Sequence, residues 1–493
     1  MFAASFPKFG HPAFAWIALA PLLVAVSTSA ASSTWRRAFA LGACSGIVGF
    51  AGVIYWIAGV MHRYGDLPFA LAALICAGLI GYLAIFFGVW AVLVRAAIRR
   101  LGVGGVWLAP IFWVALEWAR GVIVGFPWAP IGSSQATVIP VVQLAAVTGV
   151  YGLSALVALV STAAAVISLT RARTHRAGAA CVALLLIGVC AAGAYRVSRG
   201  TLTTSGRPLR VGLVQGSIAQ DEKEDPSLDS EVLARYLALS RQAIGAGAQM
   251  VLWPEAAVPF YFDIDAPKAA PIRRLALETH APFLLGSDAY DPPRSGAPER
   301  FYNAAVLVGG DGRSVGTYRK MRLVPFGEYV PFKSLLFFAG KLVQSVGDFS
   351  PGTEPVVFDT GDWKVSVSIC YESIYPRISR AFVAGGSELL ATITNDAWFD
   401  RSSAAYQHFD QGAIRAVEEG RYVVRAANTG ISGAVDPYGR ALTRTPLFQP
   451  LSIVVDVRLL TDRTIYSRTG DLVVWLSLAV TAAFVLISLR RAR

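Results

Sequence analysis

Residues 13 to 197 run almost continuously apolar, residues 206 to 465 carry the mixed polarity of a water-facing domain, and a last apolar stretch covers about 471–489. Lipid offers no water to bond the backbone N–H and C=O groups, so stretches of this length fold as spanning helices. A span takes about 20 apolar residues, and the pattern predicts helices near 13–31, 38–61, 68–95, 106–125, 144–170, 178–197 and 471–489. The chain thus reads as a polytopic helical membrane bundle over 1–197, a globular domain over 206–465, and a C-terminal transmembrane helix over 471–489. Hydrophobic residues are 55% of the chain and charged ones 15%, outside the balance of a soluble protein. Residues 1–30 have only a weak basic start and no clear cleavage site, so they are not expected to act as a signal peptide.

A formal charge of +12 would suit nucleic acid, but the arginines argue against it. They cluster at Arg36-Arg37, at Arg95, Arg99 and Arg100, at Arg171, Arg173 and Arg176, and at Arg490, Arg491 and Arg493, each beside a hydrophobic segment. That is the positive-inside pattern of cytoplasmic loops. It predicts that the loops near 62–67 and 126–143, and the whole domain 198–470, lie on the outer face.

Within that domain the pattern alternates strand and helix. Residues 209–215, 250–253, 283–286, 302–309, 314–320, 363–370, 388–394, 422–428 and 451–457 read as strands, with helices over 229–246, 268–280, 372–384 and 403–419. Gly310-Asp311-Gly312-Arg313 marks a hairpin turn. The expectation is an α/β domain of layered sheets with helices outside. Five scattered histidines show no metal-ligand spacing, and no glycine loop that would cradle a phosphate occurs. Neither a metal nor a cofactor is expected.

Cys44, Cys76, Cys181 and Cys190 fall inside predicted spans, where cysteine is a small apolar residue. Cys370 is alone in the outer domain, at the end of the alternating strand Val365, Val367, Ile369. An unpaired thiol outside the cytoplasm is a liability unless it is buried or used. A thiol attacks as thiolate, and its ordinary pKa of about 8.5 leaves it protonated at neutral pH. A carboxylate can take that proton, and an ammonium can favour the anion. Glu255, fixed in direction by Trp253-Pro254, suits the first role, and Lys320 in Tyr318-Arg319-Lys320 suits the second. Lys320 can also stabilise an oxyanion, where one donor is worth roughly 3–4 kcal/mol. Each residue alone reads more simply as a buried cysteine or a solvated charge. Their conjunction points to nucleophilic catalysis.

Those three segments resemble the Glu-Lys-Cys triad of the nitrilase (carbon–nitrogen hydrolase) superfamily. Further strings are similar to the apolipoprotein N-acyltransferase family: Val214-Gln215-Gly216, Lys320-Met321-Arg322-Leu323-Val324-Pro325-Phe326-Gly327-Glu328-Tyr329, Cys370-Tyr371-Glu372 and Thr394-Asn395-Asp396-Ala397-Trp398-Phe399. The apolar part agrees, with Glu117-Trp118-Ala119-Arg120, Gly125-Phe126-Pro127-Trp128 and Thr148-Gly149-Val150-Tyr151-Gly152. The resemblance covers essentially the whole chain. It implies a nitrilase-like αββα sandwich outside the cytoplasm, with Cys370 as nucleophile, Glu255 as general base and Lys320 as oxyanion stabiliser. Glu328 and Glu372 would support the site, and Tyr371, Trp398, Phe126 and Trp128 would lie near substrate. Glu117 and Arg120 read as an intramembrane pair about one turn apart, structural in role.

The activity implied is transfer of an acyl chain from a membrane phospholipid to the N-terminal amine of a diacylglyceryl-modified apolipoprotein. It would pass through a thioester, in a monomer of the bacterial inner membrane whose catalytic domain faces the periplasm. A membrane-anchored amidase that passes its acyl group to water uses the same triad, and a transporter or receptor is the reading from another class. The loop 126–143 and Leu335, Leu336, Phe337 and Phe338 are expected to admit lipid. Three departures from the family stand out. Lys223-Glu224-Asp225-Pro226 replaces its Lys-Trp-Asp-Pro, Asp400 follows Trp398-Phe399 where glycine is usual, and seven spans are counted where eight are typical. Phe6-Pro7-Lys8-Phe9-Gly10 resembles the link between spans one and two, so the expectation is a missing first span and an N-terminus outside.

Overall fold

In the computed structural model the described residues are 1–30, 34–65, 67–123, 125–293, 298–325, 327–329 and 349–490, with the side chain of Glu224 excepted. Six stretches among them are long and apolar enough to cross a membrane: Pro12–Ser29, Trp35–Ile54, Phe69–Ile123, Ala145–Leu169, Arg173–Thr204 and Leu472–Arg490. The longest is two helices, Phe69–Leu101 and Ala109–Ile123, broken at Gly102 where φ is +62°. The predicted spans 68–95 and 106–125 are therefore both helical, but joined by a short 3-10 turn rather than an open loop. Trp35–Ile54 and Phe69–Leu101 pack at glycines: a Cβ on Gly42 would lie 2.4 Å from the Phe87 carbonyl oxygen. Close approach of backbones is how helices associate where lipid removes the hydrophobic drive.

The polar part forms two six-stranded sheets. Strands β1 (Arg207–Gln215), β2 (Met250–Leu252), β3 (Phe283–Asp291), β4 (Arg300–Val308) and β5 (Ser314–Arg319) belong to the first. Strands β6 (Phe358–Asp359), β7 (Lys364–Ile369), β8 (Leu389–Thr394), β9 (Val423–Ala427), β10 (Gly433–Val435) and β11 (Ala441–Arg444) make the second, and β12 (Leu451–Leu459) returns to the first. The orders are β12-β1-β2-β3-β4-β5 and β11-β10-β9-β8-β7-β6. Leu209, Val211, Leu213, Leu252 and Leu307 of one sheet meet Val365, Val367, Ile369, Leu389 and Ile393 of the other in a single core. Period-two alternation puts those residues on one face of each strand. Helices Asp229–Gly245 and Ala266–Thr279 cover the outer face of the first sheet through Val232, Tyr236, Ile272 and Leu275. Pro376–Ala384 and Ala404–Glu419 pack on the second through Ile378, Phe382, Ala405 and Phe409. The architecture is the αββα sandwich of the nitrilase fold joined to an apolar helical bundle.

The predicted helix over 372–384 is shorter than its pattern. Pro376 lacks an N–H to donate, so a 3-10 turn, Cys370–Ile374, precedes a helix that starts at Pro376. In each sheet the parallel strands β1-β2-β3 and β7-β8-β9 end towards one region, as the crossover helices between them require. That region holds the site.

The helix Ala145–Leu169 is interrupted at Gly149, where φ is +68° and ψ −177°. A Cβ there would stand 2.4 Å from the Tyr466 ring. The kink frees the Val150 N–H, which donates at 2.8 Å to Glu418 Oε1 on the helix Ala404–Glu419. The bundle and the sandwich are joined at this point.

Candidate active site

Glu255 follows β2 by three residues, Lys320 follows β5 directly, and Cys370 follows β7 directly. The sandwich brings these strand ends together. Lys320 Nζ lies 3.1 Å from Glu255 Oε1 and 2.7 Å from Glu328 Oε1. Asn303, on β4, donates through Nδ2 to the same two oxygens at 2.7 and 2.8 Å. The second oxygen of Glu255 accepts the Asn395 backbone N–H at 2.8 Å, and that of Glu328 accepts the Val324 N–H at 2.7 Å. All four side chains are buried, Lys320 at 1% exposure. A buried ion is tolerable only when it is paired and hydrogen-bonded, and this network pairs each charge, leaving Asn303 Oδ1 as its one unpartnered oxygen among the described residues.

Cys370 takes φ +51°, a left-handed conformation that a side-chain-bearing residue rarely holds. Such a residue costs on the order of 1–3 kcal/mol and persists only where its surroundings impose it. The turn lets the thiol leave the strand end towards Glu255 and Lys320, whose charges both act on it. Burial and then the Glu255 charge push the thiol well above its ordinary range, and Lys320 only partly offsets them. Burial also pushes Glu255 up, but the Lys320 charge and the Asn303 and Asn395 donors outweigh it and hold the carboxyl below its usual value. Lys320 is depressed by burial and raised further by Glu255 and Glu328, ending well above an ordinary lysine. Burial and Glu255 thus favour the neutral thiol, while Glu255 and Lys320 favour each other's charged form. Sequence reasoning expected the ammonium to favour the thiolate, and its charge does act in that direction, against burial and Glu255.

Glu372 does not bond Lys320. Its Oε1 accepts the N–H groups of Met321 and Arg322 at 2.6 and 3.0 Å, its Oε2 accepts that of Ile369 at 2.9 Å, and Tyr318 Oη donates to both oxygens at 2.9 Å. It ties the end of β5 to the end of β7 and so sets the spacing of Lys320 and Cys370. Burial pushes its carboxyl up to about 7 against those donors. Lys223 Nζ donates to the carbonyls of Glu255 and Ala256 at 3.3 and 3.0 Å, which pins the turn that carries Glu255.

On the membrane side, Tyr371 and Tyr375 both donate to the Gly125 carbonyl, at 2.9 and 2.7 Å. Phe126 stacks on Tyr371 at 6.3 Å and on Trp128 at 6.0 Å. Trp128 is 1% exposed and donates to Gln407 Oε1 at 2.7 Å, so its edge is engaged inside the protein. Trp398 packs edge-on against Tyr64 at 4.8 Å, and Tyr64 Oη donates to the Ala397 carbonyl at 2.9 Å. Glu117 and Arg120 make no direct salt bridge, although each charge acts on the other. Glu117 Oε1 accepts from Trp113 Nε1 at 3.1 Å and Ile131 N at 2.7 Å, whereas Arg120 donates to the Trp128 carbonyl at 2.9 Å and lies over Phe50. Both brace the loop after their helix, because that loop's backbone groups are buried and need partners. Among the described residues no group of three or more His, Cys, Asp or Glu side chains is arranged to hold a metal ion. Phe326, Leu335, Leu336, Phe337, Phe338 and the Glu224 side chain lie outside the described residues.

Comparison with known proteins decides the kinship. The profile of the apolipoprotein N-acyltransferase N-terminal domain matches residues 1–163, and that of carbon-nitrogen hydrolases matches residues 210–461. An apolipoprotein N-acyltransferase of Geobacter metallireducens is 41% identical, over 100% of this chain and 94% of its own length. The chain belongs to the apolipoprotein N-acyltransferase family. Another member, from Pseudomonas aeruginosa, is 34% identical over 85% of this chain and 80% of that one. Among solved structures, an amidase from Nesterenkonia sp. aligns with TM-score 0.40 and 22% identity, over 54% of this chain and 94% of its own.

Against the usual pattern of apolipoprotein N-acyltransferases, the Asp400 departure has a visible cost and partner. Asp400 sits at φ +48°, where glycine is comfortable, and its carboxylate pairs with Arg63 Nη1 at 2.7 Å on the surface. Sequence reasoning missed Asn303, Lys223 and Tyr318. Asn303 had left a signal, the one polar amide within the run Phe301-Tyr302-Asn303-Ala304-Ala305-Val306-Leu307-Val308. Lys223 and Tyr318 stood in the quoted strings, but their partners lie far away in sequence and their roles had no local signal.

Proposed function

We propose that this member of the family transfers an acyl chain from a membrane phospholipid to the N-terminal amine of an S-diacylglyceryl-cysteine lipoprotein, through a thioester on Cys370. The supporting observation is the convergence of Glu255, Lys320 and Cys370 in one buried centre whose neighbour Tyr371 bonds the loop of the helical bundle. Cys370 Sγ attacks the ester carbonyl as its proton passes to Glu255. The depressed carboxyl and the raised thiol mean that ionisation accompanies attack rather than preceding it. Lys320 Nζ stabilises the oxyanion. Collapse breaks the ester C–O bond, the lysophospholipid alkoxide takes the proton back from Glu255, and the thioester remains. The incoming α-amine then attacks that carbonyl and yields its proton to Glu255. Expulsion of sulfur breaks the C–S bond, and the thiolate recovers the proton as the amide forms.

In this reading residues 1–197 and 471–489 hold the protein in the inner membrane and present lipid, and residues 206–465 carry the chemistry on the periplasmic face. Phe126, Trp128, Tyr371 and Trp398 line or shape the lipid side. Glu328 orients Lys320, and Glu372 fixes its distance from the nucleophile. Phospholipid with a labelled acyl chain, supplied without acceptor, is expected to leave hydroxylamine-sensitive label on Cys370 that passes to a diacylated lipopeptide added later. No label on the wild type, or fatty-acid release with no amide formed, would overturn the scheme.

A further inference from the structure

His408 is fully buried on the helix Ala404–Glu419, and its ring faces the backbone of the nucleophile. Nε2 lies 3.1 Å from the Cys370 carbonyl oxygen and 3.0 Å from Ser373 Oγ. Nδ1 lies 3.0 Å from Arg425 Nη2 and 3.1 Å from Asp396 Oδ1. The Cys370 carbonyl only accepts, so Nε2 meets it as a donor. Nδ1 then accepts from Arg425, a guanidinium that only donates, while the nearby Asp396 Oδ1 is served by Thr394 Oγ1. Burial and then the Arg425 charge hold the imidazole below its ordinary pKa, which keeps the ring neutral. Behind it Asp396 accepts from Arg425 at 2.8 Å and from Thr394 Oγ1 at 2.7 Å, so the cluster is closed and rigid.

The Cys370 carbonyl is the group whose direction defines the left-handed turn at φ +51°. It accepts from Ser373 Oγ at 2.9 Å, within its own turn, and from His408, which is anchored elsewhere in the sandwich. The residues flanking His408 on the same helix reach the other way. Gln407 Oε1 accepts Trp128 Nε1 at 2.7 Å, and Gln411 Oε1 accepts the Ala129 N–H at 2.8 Å. One helix thus holds the nucleophile's backbone and the membrane-side loop in a common register.

We propose that His408 is a positioning residue for acyl transfer: its Nε2–H fixes the Cys370 carbonyl, and through it the turn that aims the thiol at Glu255 and Lys320. The role rests on the acyl-transfer reading for its consequence, but not for its detection, because alkylation of Cys370 by iodoacetamide reports the thiol's placement without any lipid. The full-length protein in detergent is compared as wild type, His408→Phe and His408→Gln. The phenylalanine fills the space without a donor, and the glutamine restores an N–H near the Nε2 position. His408→Phe is expected to lower kcat on the order of 10- to 100-fold, with KM for the phospholipid within about twofold, and to slow alkylation in step. His408→Gln is expected to recover most of both. If His408→Phe is not recovered folded, His408→Asn replaces it, polar but one methylene too short to reach the carbonyl. Wild-type rates in the donor-less variant, or a glutamine variant as impaired as phenylalanine, would overturn the role. A wild type that alkylates as expected yet forms no amide would instead overturn the acyl-transfer reading.

Discussion

In the sandwich, the buried side chains Glu255, Asn303, Lys320 and Glu328 are bonded to one another. In the bundle, Glu117 and Arg120 are bonded to the backbone of one loop and to aromatic neighbours. Both regions bury charge, and the difference lies in what faces it. Charges that face each other keep their electrostatic tension and can respond to a substrate. Glu117 and Arg120 instead direct their bonds mainly to one loop, and they hold residues 128–131 against the helix end.

Substitution at the network should therefore reach chemistry, and substitution at the brace should reach stability. The largest effect is expected from Lys320→Met. It removes the oxyanion's cation and leaves two carboxylates sharing Asn303, so lipopeptide acylation should fall by roughly 10²–10³-fold. The same change should lower unfolding stability by about 3–5 kcal/mol, read by thermal unfolding in detergent. Glu255→Gln comes next and should move two measurements in opposite directions. Acyl transfer loses its base and drops by roughly 10²–10⁴-fold. The thiol loses the nearest negative charge that raises its pKa while the Lys320 charge remains, so iodoacetamide alkylation at mildly alkaline pH should speed up. Slower alkylation there would break the assignment of Glu255 as the charge that keeps the thiol neutral.

Glu117→Leu should cost about 1–3 kcal/mol of stability by stranding the Ile131 N–H and Trp113 Nε1, with less than a tenfold change in the acylation rate of the protein that remains folded. Glu117→Gln keeps an acceptor oxygen and should lie between this variant and wild type. A kcat collapse in Glu117→Gln with unfolding unchanged would erase the distinction between the two regions. The smallest effect is expected at Asp400→Gly. It removes an exposed ion pair worth about 0–1 kcal/mol and relieves a positive φ, so the thermal midpoint should stay level or rise.

Much of this was legible before any coordinates. Hydrophobic length alone marked the spans, and period-two alternation over 365–369 pointed Cys370 out of a strand end. What stayed hidden was long-range. Asn303 bridges two carboxylates 48 and 25 positions away, and Glu372 clamps backbone groups about 50 positions earlier. No local pattern encodes such pairings, because they follow from which strands become neighbours. The expected Glu117–Arg120 pair holds only at a distance, for a related reason. Helical spacing brings the two side chains near each other, but the burial of the following loop creates stronger claims on both.

The break at Gly149 ties the assembly of the two halves together. With φ at +68° and the Tyr466 ring where a side chain would project, that residue admits neither a straight helix nor a larger neighbour. The amide it releases is answered by Glu418, on the helix that also carries His408. The bundle's break and the catalytic helix thus complete each other: the amide freed in one half finds its acceptor only in the other.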